Sequence, residues 1–168
     1  MMHVIRSIPV ALAVGTAIAA SAWAGGLQEL DQTIFGMDCA PCAAGVEQSL
    51  RKLPGVRSVR VSLNEGKAVV ALSPGSRTTI GQIREVIRHN GFTPREARAV
   101  LVGRVVQEGD RWLIDTGSQR FVLEGDSSAM RDRPLADATS LEMSLTVRVP
   151  EKLRTPPAVQ LSADPAGR

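Results

Sequence analysis

Both cysteines of the chain fall within Gly36-Met37-Asp38-Cys39-Ala40-Pro41-Cys42, between a short apolar strand candidate and the first residues of an amphipathic helix. Two thiols three positions apart on a strand-to-helix turn can converge on one ion without help from the rest of the chain. A Cys pair admits three chemistries: a disulfide, a redox dithiol or a metal site. A bridge this close in sequence closes too small a loop to stabilise a domain much. A purely structural disulfide is therefore the weakest of the three.

The flanking pattern says what carries the turn. Leu30 to Phe35 reads as a strand ending at Gly36. From Cys42 the apolar residues Ala43, Val46, Leu50 and Leu53 recur at helical spacing, with Glu47, Gln48, Arg51 and Lys52 on the wet face, until Pro54-Gly55 stops the helix. Val56 to Leu63 alternates, Asn64-Glu65-Gly66 turns, and Lys67 to Leu72 returns as a partner strand. Thr79 and Gln82 open a second helix with a capping-box pattern, and Ile80, Ile83, Val86 and Ile87 form its apolar stripe. Asn90-Gly91 ends it, and Phe92 leads into another strand. The order βαββαβ predicts a ferredoxin-like unit over residues 29–98, an antiparallel sheet with both helices on one face.

Over that span the motif, order and lengths resemble the heavy-metal-associated domain of copper chaperones, periplasmic mercury-binding proteins and the N-terminal modules of metal-pumping ATPases. The resemblance implies that Met37 packs inward beneath the loop and that Phe92 closes over it. Pro41 departs from the small residue many family loops carry, although proline suits a first helical turn.

The chemistry of the pair agrees with a metal site. Cys42 lies at a helix N-terminus, where the partial positive charge favours the thiolate. Two soft thiolates with no nearby histidine or third cysteine suit ions content with two ligands, Cu(I) or Hg(II). A closed zinc site wants four ligands, and the chain lacks the cysteines for it. Asp38 leaves two roles open: it caps the helix, or its carboxylate adds a hard ligand that shifts preference toward Zn(II) or Cd(II). Met37 offers a thioether as an alternative to its core role. His89 is expected to be solvated on the last turn of the second helix.

The second half has a β texture. Val100 to Val106, Trp112 to Asp115 and Arg120 to Leu123 read as strands separated by Glu108-Gly109-Asp110 and Thr116-Gly117-Ser118. After an irregular stretch, Leu141 to Val149 alternates strictly, and Val159 to Leu161 reads as an edge strand following Pro156-Pro157. The expectation is an α+β protein in which a small all-β barrel, OB-like, over residues 99–161 follows the metal domain. Val100 could serve both halves if the strands run on without a linker. Residues 162–168 are expected to form a disordered tail.

At the N-terminus, Arg6, the uncharged run Ile8 to Ala20 and the small residues Ala22 and Ala24 predict a signal peptide over residues 1–24. Its apolar core is short for a membrane span, so no span is expected after cleavage. The formal net charge of +3 is interspersed, and tyrosine is absent, so nothing argues for nucleic acid as a partner. The β half offers no catalytic set, and no enzymatic activity is expected. The reading is an exported, periplasmic metallochaperone or metal scavenger that passes its ion to a protein acceptor such as a transporter or efflux component. The alternatives are a periplasmic thiol–disulfide redox protein and a metal-sensing interaction module acting through the β half.

Overall fold

The structure is a computed structural model that describes residues 25–124, 142–152 and 157–161. The expected signal peptide, most of the irregular stretch before residue 142 and the expected tail lie outside the described residues, as do the side chains of residues 142–145.

Among the described residues ten elements follow in order: β1 Gly26–Phe35, α1 Ala40–Arg51, β2 Val56–Ser62, β3 Lys67–Leu72, α2 Ile80–His89, β4 Thr93–Glu108, β5 Arg111–Asp115, β6 Arg120–Glu124, β7 Glu142–Val149 and β8 Ala158–Leu161. The first six form the ferredoxin-like arrangement, with strand order β2-β3-β1-β4 and antiparallel pairing throughout. Alternation explains the core. Leu30 and Ile34 of β1, Val59 of β2, Ala68, Val70 and Leu72 of β3, and Ala97 and Ala99 of β4 turn one way. There they meet Val46 and Leu50 of α1 and Ile80, Ile83 and Ile87 of α2 in one buried cluster. α2 starts where Thr79 accepts the Gln82 N–H while the Gln82 side chain accepts the Thr79 N–H, the reciprocal cap its sequence predicts.

β2 ends the sheet, and α1 covers that edge. Glu47 accepts the Val61 N–H at 3.2 Å, and Arg51 donates to the Val59 carbonyl at 3.0 Å. The two side chains also pair with each other at 2.6 Å. An ion pair thus occupies backbone groups that would otherwise be open to another strand.

The expected boundary between residues 98 and 99 falls inside β4, so no linker separates the halves. Thr93 to Val102 pair with β1, and Arg104 to Glu108 pair with β5. Ala97 to Arg104 also pair with β7, which covers the edge of β4 that a four-stranded sheet would leave open. Gly103 stands at the hand-over from β1 to β5, where a Cβ would overlap the Asp115 carbonyl group. Only glycine lets β5 approach there. Because β4 runs on, β1 begins earlier than its apolar run suggests, at Gly26, opposite Val102.

β4, β5, β6, β8 and β7 close into a ring, since β7 returns to β4. Its one parallel pair is β6 with β8; the others are antiparallel. The expected edge strand at Val159 to Leu161 is corrected: β8 lies between β6 and β7, and Val159 is fully buried. Phe121, Leu123, Val147, Val149 and Val159 join the same buried cluster as the helices, so one core runs through the described residues.

The halves are also joined by a buried cation. Arg84 of α2 is 1% exposed. Its Nε donates to Gln32 Oε1 at 2.8 Å, Nη2 to the Arg95 carbonyl at 2.8 Å, and Nη1 to the carbonyls of Pro150 and Glu151 at 2.8 and 3.0 Å. Gln32, also buried, donates to the carbonyls of Thr33, Arg95 and Glu96. Burial pushes the Arg84 pKa down to about 10, aided by repulsion from Arg88 and opposed by Glu151, so Arg84 remains a cation at neutral pH.

Candidate metal centre

The cysteine turn is built by local rules. β1 stops at Phe35, and Gly36 takes φ 90°, a conformation that side-chain-bearing residues rarely adopt. That turn carries the chain over the end of the sheet, where Met37 is buried in the core cluster and Asp38 is exposed. Cys39 then takes the extended conformation of an N-cap, with φ −131° and ψ 144°. Its sulfur accepts the Cys42 N–H at 3.2 Å, and its carbonyl accepts the Ala43 N–H at 3.1 Å. Pro41 occupies the first turn, where a missing N–H leaves no gap in the helix ladder.

The capping role open to Asp38 is therefore corrected. Cys39, the residue after it, is the cap, because its own extended backbone turns Sγ back onto the first-turn N–H groups. The Asp38 carboxylate instead reaches toward the thiols. One oxygen of Asp38 and the sulfurs of Cys39 and Cys42 lie within 4.8 Å of one another. No other such group of three His, Cys, Asp or Glu side chains occurs among the described residues.

The two sulfurs are joined as a disulfide, with the Cα atoms 5.1 Å apart. This is the oxidised form of the pair. Each sulfur becomes a metal ligand only after reduction to a thiolate, and the helix N-terminus then favours the anion at both positions. Cys42 is half-buried against the core, while Asp38 is exposed, so the site is anchored on one side and open on the other.

The other expected residues sit as follows. Phe92 is half-buried against the core cluster that Cys42 also borders, with its N–H bound to the Ile87 carbonyl at 3.2 Å. Met37 takes the buried position expected of it, so its thioether belongs to the core. His89 is exposed and turned to its own helix, with Nδ1 2.9 Å from the Glu85 carbonyl and 3.2 Å from the Glu85 carboxylate.

Three features escaped the sequence reading. Arg84 occupies the i+4 position of the stripe begun by Ile80, so a charge on the apolar face was its visible signal. Gln32 alternates with Leu30 and Ile34 on the inner face of β1 and had the same signal. Phe35, at 63% exposure, lies beneath the Arg95 guanidinium at 5.0 Å, and Arg95 pairs in turn with Glu151 at 3.1 Å. Nothing local in the sequence foretells that stack, since Glu151 arrives from beyond β7.

A strand, a turn with two cysteines, and a helix that presents them at its N-terminus make a candidate metal-binding module. Residues 33–93 match the family model for the heavy-metal-associated domain. Copper-transporting ATPase 2 of Rattus norvegicus is 40% identical over 84 residues, covering 50% of this chain and 5% of that protein. Mercuric reductase of Serratia marcescens is 51% identical over 43 residues, covering 26% of this chain and 9% of the reductase. The chain thus spans a small fraction of these curated relatives. Among solved structures, the yeast copper transporter domain Ccc2a is 28% identical, with a TM-score of 0.38, covering 40% of this chain and 90% of that one. The Cys-x-x-Cys pair in the stretch that matches this family supports metal binding.

Proposed function

We infer that the protein is a metallochaperone or metal scavenger whose reduced Cys39 and Cys42 take up one thiophilic ion, Cu(I) or Hg(II), as cargo. The observation that carries this reading is the convergence of both sulfurs at the exposed mouth of a turn whose inner side is fixed by Met37 and Cys42. Two-coordinate soft ions need no third donor. Release follows by ligand exchange: a thiolate of a protein acceptor bonds the ion, and one of the two cysteines leaves. A metal transporter or efflux component is the acceptor class that copper-transporting and mercury-handling relatives suggest.

Asp38 widens the choice of cargo. With Cys39 as the cap, its carboxylate is available as a third, harder ligand, which supports uptake of Zn(II) or Cd(II) alongside softer ions. The residues before Gly25 support export to the periplasm, and the binding role requires no enzymatic activity. The ring order β4-β5-β6-β8-β7, with its parallel β6–β8 pair, supports an OB-like reading of the C-terminal half, suited to docking or delivery.

One observation favours a second reading. The closed Cys39–Cys42 bridge is what a thiol–disulfide redox protein would present. Native mass spectrometry of the reduced full chain, exposed to competing Cu(I), Hg(II), Zn(II) and Cd(II), separates the two. The metal reading expects one Cu(I) or Hg(II) per chain and a loss of several orders of magnitude in affinity for Cys39→Ser or Cys42→Ser. Tight Cu(I) retention by the double serine variant, or rapid catalysed reduction of insulin by the metal-free protein, overturns it.

A further inference from the structure

The fold sorts charge that is mixed along the chain. At the end of the sheet away from the cysteine turn, Thr78 Oγ1 and Ser76 Oγ donate to the Pro54 carbonyl at 2.6 and 3.4 Å, and the Ser73 N–H donates to the Gly55 carbonyl at 2.8 Å. These bonds hold the segment before α2 against the turn between α1 and β2. Three exposed cations meet there: Lys52 at the C-cap of α1, Arg57 at the start of β2, and Arg77 between the two bonded hydroxyl residues. Arg60, also exposed, continues the group along β2, whereas Arg51 is already paired with Glu47. No carboxylate occurs in residues 48–64 or 66–84. Glu65 between them lies at the other end, where the Gly66 carbonyl accepts the Ile34 N–H at 2.7 Å. Within the sheet, Glu29 and Asp31 stand two strands from Ser58 and Arg60, and Asp31 is held by Lys67 at 3.2 Å.

We propose that this corner of Lys52, Arg57, Arg60 and Arg77 docks the protein on an anionic phospholipid bilayer, with the cysteine turn facing away from the membrane.

Two observations select a lipid surface. The first is where the chain enters the fold. Gly25 is buried, and its carbonyl accepts the N–H of Gly75 at 3.2 Å, two residues from Arg77. The uncharged run Ile8 to Ala20 precedes it in sequence, so a segment with affinity for a bilayer joins the fold at the basic corner. The second is what the corner lacks. A protein partner is gripped mainly by buried aromatic and other large anchors. Among the described residues the large apolar side chain left exposed is Phe35, at the opposite end of β1. A layer of anionic headgroups asks only for cations that reach its surface together.

Magnitude and direction follow from the same residues. Each cation held near an anionic surface strengthens partitioning about fivefold, so four acting together give roughly several hundredfold. Attachment of that order is reversible. α1 spans the interval from Cys39 to Lys52, which at the helical rise per residue sets the thiols about 20 Å from the corner. The metal turn therefore stands clear of the headgroups, open to a protein that reaches it from the aqueous side.

The test uses the full chain, metal-free and with its disulfide closed, in flotation with vesicles of two parts phosphatidylcholine to one part phosphatidylglycerol. Parallel flotations use phosphatidylcholine alone, which reports whatever the N-terminal apolar run contributes. Binding should be roughly a hundredfold or more tighter on the anionic vesicles, and salt at about 0.5 M should remove that difference. Lys52→Gln/Arg57→Gln/Arg77→Gln should weaken anionic binding about a hundredfold. Arg88→Gln/Arg111→Gln/Lys152→Gln removes the same charge from exposed cations elsewhere and should change it by less than about threefold. Arg57→Glu provides a second variant should the first fold poorly by circular dichroism, with an expected loss of about twentyfold. Equal binding to both kinds of vesicle, or equal losses for the two triple variants, overturns the proposal. So does saturable binding to a glutamate-rich peptide with the same Arg57 dependence and no preference for anionic vesicles, which would assign the corner to an acidic protein. None of these outcomes depends on the Cys39–Cys42 reading.

Discussion

Replacing Arg84 by Met should be among the most costly single substitutions in the protein. The guanidinium makes four hydrogen bonds, to Gln32 and to the carbonyls of Arg95, Pro150 and Glu151, and is almost wholly buried. Charge-assisted bonds contribute about 1.5–3 kcal/mol each in isolation. Burying the cation offsets several kcal/mol of that sum. Methionine fills similar volume but leaves four acceptors without their donor. The net loss should be about 3–5 kcal/mol, the scale for breaking a buried charged network from one side. For a chain of this size that lowers Tm by roughly 10 °C. Urea denaturation followed by circular dichroism measures it. Replacing Gln32 as well, by Leu, should add to the loss, because Gln32 also donates to the carbonyls of Thr33, Arg95 and Glu96, which would lose that donor too. The midpoint should fall in a single transition, since Arg84 holds α2 to the segment after β7. A loss below about 1 kcal/mol for Arg84→Met would refute this, placing the network with those ionic clusters that apolar residues replace at no cost.

Four further outcomes follow from the same contacts. A chain ending at Arg98 loses Ala99 to Val102, which pair with Leu30, Glu29, Leu27 and Gly26, along with two Arg84 acceptors; its far-ultraviolet circular dichroism should show a largely unfolded protein, and a cooperative native melt would refute a shared core. Asp38→Ala should reduce Zn(II) or Cd(II) affinity by about tenfold or more while sparing Cu(I), measured by competition with chromophoric chelators; equal small losses for all ions would exclude the carboxylate as a ligand. Glu47 is held below its ordinary carboxylate pKa, first by its hydrogen bond from Arg51 and also by the Val61 N–H, against a desolvation cost. Its stabilising contribution is therefore present above the unfolded glutamate pKa and lost as pH falls through the folded value, and Glu47→Gln should flatten that part of the acid-stability curve. Gly103→Ala should cost about 1–3 kcal/mol by thermal melting, since the added Cβ meets the Asp115 carbonyl group and one strand must shift.

How much of this was legible beforehand depends on the range of each interaction. The Thr79–Gln82 cap, the end of β1 at Gly36 and the apolar stripes of both helices involve residues within a few positions, and the chain declares them. Cys39 as the cap was equally local yet misread, because aspartate is the commoner cap and the extended backbone of the next residue decided otherwise. Arg84 and Gln32 broke the apolar patterns of α2 and β1, a sign of burial with partners, but those partners lie far away in sequence.

By itself, then, the sequence determined the strand-turn-helix that sets two thiols at one helix N-terminus, and the βαββαβ order around it. Each rests on periodicity, capping and turn chemistry that operate over a few residues. Only the tertiary structure decided that β4 runs unbroken through the expected boundary, that β8 sits between β6 and β7, and that Arg148 faces Arg98. Those outcomes depend on which strand edges meet, and an unpaired edge can be satisfied by any strand that reaches it. Gly103 at the hand-over of β4 and the carbonyls that Arg84 collects made the choice, through contacts that exist only once the chain has closed on itself.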